Sequence, residues 1–70
     1  MDIKRVIHLA KIPVKVIAGR AGTQTAHVYN ILNGVRRPRL ELADRLSHAT
    51  DGLVSPEEWM RIPPKKKGAK

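Results

Sequence analysis

Seventy residues carry fourteen Lys and Arg against six Asp and Glu, a formal charge of +8, with no cysteine at all. That length allows one domain with a small core, and the absent cysteines exclude disulfides and thiolate zinc sites. No apolar stretch reaches the length of a bilayer span or forms the core of a signal segment, so a soluble, cytoplasmic protein with a polyanionic partner is expected.

The helical periods run along the chain in five pieces. Asp2 is placed to cap a first helix whose inward stripe is Ile3, Val6, Ile7 and Ala10. It must end before Pro13, because the residue ahead of a proline disfavours helical backbone, and Ile12 then packs as a staple. A second helix begins after Pro13, a residue suited to a first helical turn, and in it Ile17, Ala18 and Ala21 share one face. Gly22 supplies the left-handed residue that closes this helix, so a third can start within about three residues, with Thr23 as its expected cap. In that third helix Val28, Ile31 and Leu32 recur at helical spacing, which leaves Thr25, Ala26, Tyr29, Asn30 and Asn33 on the opposite side.

After Pro38, the residues Leu40, Ala43, Leu46 and Ala49 mark a fourth helix, with Glu41 and Arg45 spaced for an i,i+4 ion pair and Asp51 and Gly52 as its stop. Ser55, Pro56, Glu57 and Glu58 then combine a capping hydroxyl, a proline suited to the first position and acids near the positive helix end, so a short fifth helix should carry Trp59 and Met60. Trp59, the only tryptophan, is expected to close the core against Leu46, Leu53 and Val54. The fold class that results is all-α, a bundle of about five short helices containing a helix-turn-helix. Residues 1 to 62 form the domain, and 63 to 70 form a basic, disordered tail with Lys65, Lys66, Lys67 and Lys70. Without those four lysines ten bases still face six acids, so the basic character belongs to the folded part as well.

A helix of little more than two turns, apolar behind and small and polar in front, suits the major groove of a duplex, whose width admits a helix and whose base edges offer donors, acceptors and methyl groups. Arg36, Arg37 and Arg39 follow directly, where loop side chains can straddle a sugar-phosphate backbone and release its counterions. His27, on the shoulder of the same helix towards the preceding one, is a further phosphate donor.

Ala18, Gly22, Val28, Ile31, Asn33 and Gly34, followed by Arg36, Arg37, Pro38 and Arg39, resemble the helix-turn-helix proteins of the lambdoid phage Cro and repressor type, over roughly residues 3 to 60. The resemblance implies that the third helix enters the major groove. Gln24 at its start, Thr25, Ala26, Tyr29 and Asn30 then face base edges, and Asn33 matches a phosphate-bound position. Two positions depart from the family. Val14 stands where a phosphate-binding Gln often opens the first motif helix, leaving Lys15 or Lys11 to supply that contact, and Thr23 replaces an aliphatic residue after the turn glycine. The resemblance further implies a transcriptional repressor in a bacterial or infected host cell, associated with the nucleoid. It would bind two-fold related operator half-sites as a homodimer, with Leu53, Val54, Trp59 and Met60 as the dimer surface.

Catalysis finds no support. His8, His27 and His48 fall on three separate predicted helices without companions at metal spacing, and Asp44, Ser47 and His48 read as a polar helix face. No cofactor, metal or small-molecule ligand is expected. Two other classes remain open: an antitoxin of the same DNA-binding fold that neutralises a toxin through its carboxyl-terminal helix, and a nonspecific architectural or RNA-binding protein. Charge alone favours the latter, but it has only Tyr29 as a stacking aromatic.

Overall fold

A computed structural model describes residues 2 to 63, so the basic tail expected at 63 to 70 lies almost wholly outside the described residues. Five helices form: α1 (Ile3–Leu9), α2 (Val14–Ala21), α3 (Thr25–Leu32), α4 (Leu40–Ala49) and α5 (Pro56–Met60). There is no strand among the described residues, and no helix there is long and apolar enough to cross a membrane.

The local signals act where the sequence places them. The Asp2 carboxylate accepts from the Arg5 N–H at 3.4 Å and the Ser55 hydroxyl accepts from the Glu58 N–H at 3.3 Å, so α1 and α5 start on side-chain caps. Gly22 adopts φ 73°. Its N–H donates to the Gly19 carbonyl and the Thr23 N–H reaches back to Ala18 at 2.9 Å, the paired bonds of a Schellman turn. α4 ends at Ala49, and the left-handed pair Asp51 and Gly52 reverses the chain behind it. The buried Thr50 hydroxyl donates to the Ser47 carbonyl at 2.9 Å and accepts from the Val54 N–H at 3.3 Å, which ties the end of α4 to the approach of α5.

α2 is the hub, packing against both α3 and α4, while α5 packs on α4. Ile17, Ala18 and Ala21 of α2, Val28, Ile31 and Leu32 of α3, and Ala43, Leu46 and Ala49 of α4 form one core with Ile3, Ile7, Val54 and Trp59. Ile12 packs against it from the side. Arg20 locks the hub from outside: its guanidinium donates to the Ala49 carbonyl at 3.0 Å and lies 4.0 Å from the Asp51 carboxylate, a cation at the negative end of α4. The expected Glu41 and Arg45 pair closes at 3.1 Å.

Trp59 has no exposed surface. Its Nε1–H finds no acceptor among the described residues, an unpaired donor that costs about 1–3 kcal/mol. Burying an indole of about 200 Å² is worth ~5 kcal/mol, so the ring still holds the core together.

Several expectations need correction. Ala10, placed in the inward stripe of α1, is exposed because the helix has ended at Leu9 and the chain is already turning. α2 does begin after Pro13, as expected, with Pro13 as its N-cap at an extended ψ of 145°. The cap of α3 is Gln24 and not Thr23, since the Schellman turn consumes Thr23. Leu40 is 67% and Leu53 50% exposed, so neither packs inward; Leu40 is the first residue of α4 and Leu53 lies in the turn between α4 and α5. Ser47 belongs to the buried face of α4 and not to a polar one.

Gly19 within α2 and Gly22 at its C-cap separate backbone strain from crowding, because a Cβ at either would meet no atom within 4 Å. Gly22→Ala is expected to cost about 1–2 kcal/mol, since an L-residue must then hold φ > 0. Gly19→Ala should instead stabilise by about 0.5–1 kcal/mol through helix propensity. Urea unfolding followed by Trp59 fluorescence measures both, and equal midpoints for the two variants would contradict a left-handed residue at the turn.

Candidate nucleic-acid interface

The face in question is built from the turn outwards. The Schellman turn at Gly22 and Thr23 leads into Gln24, whose extended backbone (φ −88°, ψ 148°) starts α3 and whose carbonyl accepts from the His27 and Val28 N–H groups. No side chain caps this helix. Val28 and Ile31 are wholly buried and Leu32 nearly so, which fixes the rotation of α3 about its axis. Gln24, Ala26 and Asn33 are therefore exposed, Tyr29 is 52% exposed, and Thr25 and Asn30 lie half-buried at the edges. None of the side-chain hydrogen bonds among the described residues uses Gln24, Thr25, Tyr29 or Asn30, so their polar atoms are free for an external partner.

The end of α3 is folded back tightly. Asn33 caps it, Gly34 turns at φ 77°, and the N–H groups of Val35 and Arg36 both donate to the Asn30 carbonyl, at 2.8 and 3.2 Å. The arginine loop is thus fastened to the third helix by backbone bonds. Arg36, Arg37 and Arg39 are exposed, while Pro38 between them is buried and anchors the loop. Among the described residues no carboxylate pairs with these three arginines; the two ion pairs present use Arg20 and Arg45.

His27 departs from its expected position. It lines a cleft with Arg36, Arg37, Pro38, Arg39, Glu41, Leu42 and Arg45, and so faces the following loop and α4 instead of the preceding helix. The imidazole and the loop arginines, four of the phosphate candidates, thereby come together. Lys15 stands apart, exposed at the start of α2, with Lys11 exposed in the turn before it.

Lys4 had no role in the linear reading. Its ammonium donates to the Asn33 Oδ1 at 2.6 Å, across a separation of 29 residues, which leaves the Asn33 amide N–H groups pointing away from that contact and sets a positive charge at the carboxyl end of α3. A lysine on the first helix has no sequence signal linking it to the third; only the packing of α1 brings it there.

Caps divide the molecule in the same way. α1 and α5 carry side-chain caps, whereas α2, α3 and α4 have none. The open N–H groups of those three helices, together with the loop arginines, Lys4 and Lys15, suit the oxygens of a polyanion.

The expected dimer surface loses two members. Val54 and Trp59 have no exposed area, because the monomer core consumes them, and only Leu53 and the partly exposed Met60 can meet another molecule. His8, His27 and His48 lie on α1, α3 and α4, and no group of three potential metal ligands forms among the described residues. No family model, curated protein or solved structure matches the chain.

Replacing Lys4 by Met should move the Asn33 side-chain amide resonances while changing stability by no more than about 0.5 kcal/mol, since the contact is exposed. Unmoved Asn33 resonances in a heteronuclear spectrum would exclude the contact in solution.

Proposed function

We propose that the protein binds double-stranded DNA sequence-specifically and regulates transcription, in the manner of the phage and prophage Cro-type repressors that its residue pattern resembles. The observation that carries this reading is the third helix: two turns long, held from behind by Val28 and Ile31, with Ala26 and Tyr29 exposed, Thr25 and Asn30 half-buried at its edges, and a loop of unpaired arginines fastened to its end. In this reading Gln24, Thr25 and Asn30 hydrogen-bond base edges and Ala26 and Tyr29 lie against them. Arg36, Arg37, Arg39, His27, Asn33 and Lys15 hold phosphates, with Lys4 as an addition.

The mechanism would be occlusion, in which a promoter is blocked because its site is occupied. A homodimer on two-fold related half-sites completes the proposal, with Leu53 and Met60 as the apolar contacts left open to it. Such a contact is small, so dimerisation would be coupled to DNA binding.

Base contacts and phosphate contacts differ in what their loss does. Asn30→Ala should cost about 1–3 kcal/mol on the preferred duplex and relax the preference at one position, while leaving random DNA unaffected. Arg37→Ala should weaken all sequences alike and reduce the slope of log affinity against log salt by about one. Selection of bound duplexes from a random pool at physiological salt, followed by titration of the recovered sequence, measures both. A palindrome is the expected product. Recovery of no motif, with equal losses for both variants, would instead indicate a nonspecific polyanion binder, and stoichiometric capture of a toxin dependent on residues 53 to 62 would indicate an antitoxin.

A further inference from the structure

The arginine loop forms one wall of a cleft rather than an open patch. Arg36, Arg37 and Arg39, His27 of α3, and Glu41, Leu42 and Arg45 of α4 surround a volume of about 320 Å³ above Pro38. That is the low end of the ~300–1,000 Å³ of small-ligand sites and room for about ten waters. A backbone phosphate resting on the rim would leave much of it empty.

Two independent features make the cleft suitable for anions. First, four arginines and a histidine line the cleft with a single acidic residue, Glu41, whose carboxylate is already held by Arg45 at 3.1 Å. Second, α4 begins here without a side-chain cap: its first backbone bond within the helix is from the Ala43 N–H to the Arg39 carbonyl at 2.8 Å, so the N–H groups of Leu40, Glu41 and Leu42 have no partner within the helix. Buried Pro38 and half-buried Leu42 add apolar surface to the lining.

A single small anion gains little in a solvent-open site. An anion of two linked tetrahedral groups engages several planar guanidinium forks at once, each in the bidentate geometry they favour. We propose that this cleft binds a compact oligophosphate, the pyrophosphate unit of a nucleoside diphosphate being the best match, and that its occupation competes with DNA. Any uncharged body attached to the phosphates would lie on Pro38 and Leu42. Competition follows because the ligand uses the loop arginines assigned above to DNA phosphates; that clause rests on the DNA reading, whereas binding of the oligophosphate does not. Arg45 and Glu41 belong to the cleft but not to the assigned DNA contacts, so they report on it separately. The linear sequence concealed this site because Arg45 reads there only as the partner of Glu41.

Titration of the whole chain with pyrophosphate, followed by amide resonances and set against sodium chloride at matched ionic strength, tests the proposal. Saturable shifts confined to His27, residues 36 to 42 and Arg45 are expected. Arg45→Gln should weaken binding roughly threefold, and Glu41→Gln, which removes the one carboxylate in the lining, should tighten it roughly threefold. The same response to chloride, shifts spread equally over Lys4, Lys11, Lys15 and Arg20, or parent-like titration by both variants would overturn the site. In a second arm pyrophosphate should displace a bound duplex at concentrations set by its own dissociation constant. A saturated cleft with DNA still bound would overturn the competition. A protein that binds no duplex yet still titrates with pyrophosphate would remove the DNA reading and leave the cleft standing.

Discussion

The apolar stripe of α2 is the constraint on which everything else depends. Ile17, Ala18 and Ala21 are buried, and α2 is in contact with α3 on one side and α4 on the other. Two of the three residues are alanines, so the helix axes can approach closely, and the Gly22 turn then delivers α3 at an angle that its own Val28 and Ile31 must complete. In a domain this small each buried side chain is a large fraction of the net stability, which is why Trp59 is retained in the core despite an unpaired Nε1–H.

Charge is distributed by the same framework. Asp2 caps α1, Glu57 and Glu58 stand in the first turn of α5, Asp51 lies beside Arg20, and Glu41 holds Arg45. Most of the few carboxylates are thus engaged with helix ends or with cations away from the outer face of α3. The arginines beside that face pair with no carboxylate among the described residues, and α2, α3 and α4 start without side-chain caps. The first N–H groups of these helices have no side-chain partner and are open to water or to an anion.

Much of this was legible from neighbours in the chain. The Asp2 and Ser55 caps, the left-handed Gly22, the Glu41 and Arg45 pair and the buried back of α3 all follow from rules that act within about four residues. The errors cluster at element ends. Thr23 looked like a cap because hydroxyl residues favour that position, but the turn needed its N–H for Ala18 and moved the start of the helix to Gln24. Leu40 matched the apolar period and yet is exposed, since periodicity gives a face without saying where along the helix the neighbour stops, and Leu53, expected against Trp59, is exposed in the turn between α4 and α5.

What sequence alone determined, then, was the set of five helices among the described residues, the buried back of the second and third and the concentration of positive charge after the third, because propensity, capping and period are local quantities. What only the tertiary structure decided was which distant groups meet. Lys4 on Asn33, Arg20 on the Ala49 carbonyl, His27 and Arg45 in one cleft, and Val54 and Trp59 consumed by the core all depend on how helices pack. Packing is set by the shapes of whole buried faces acting together, and no spacing along the chain encodes it.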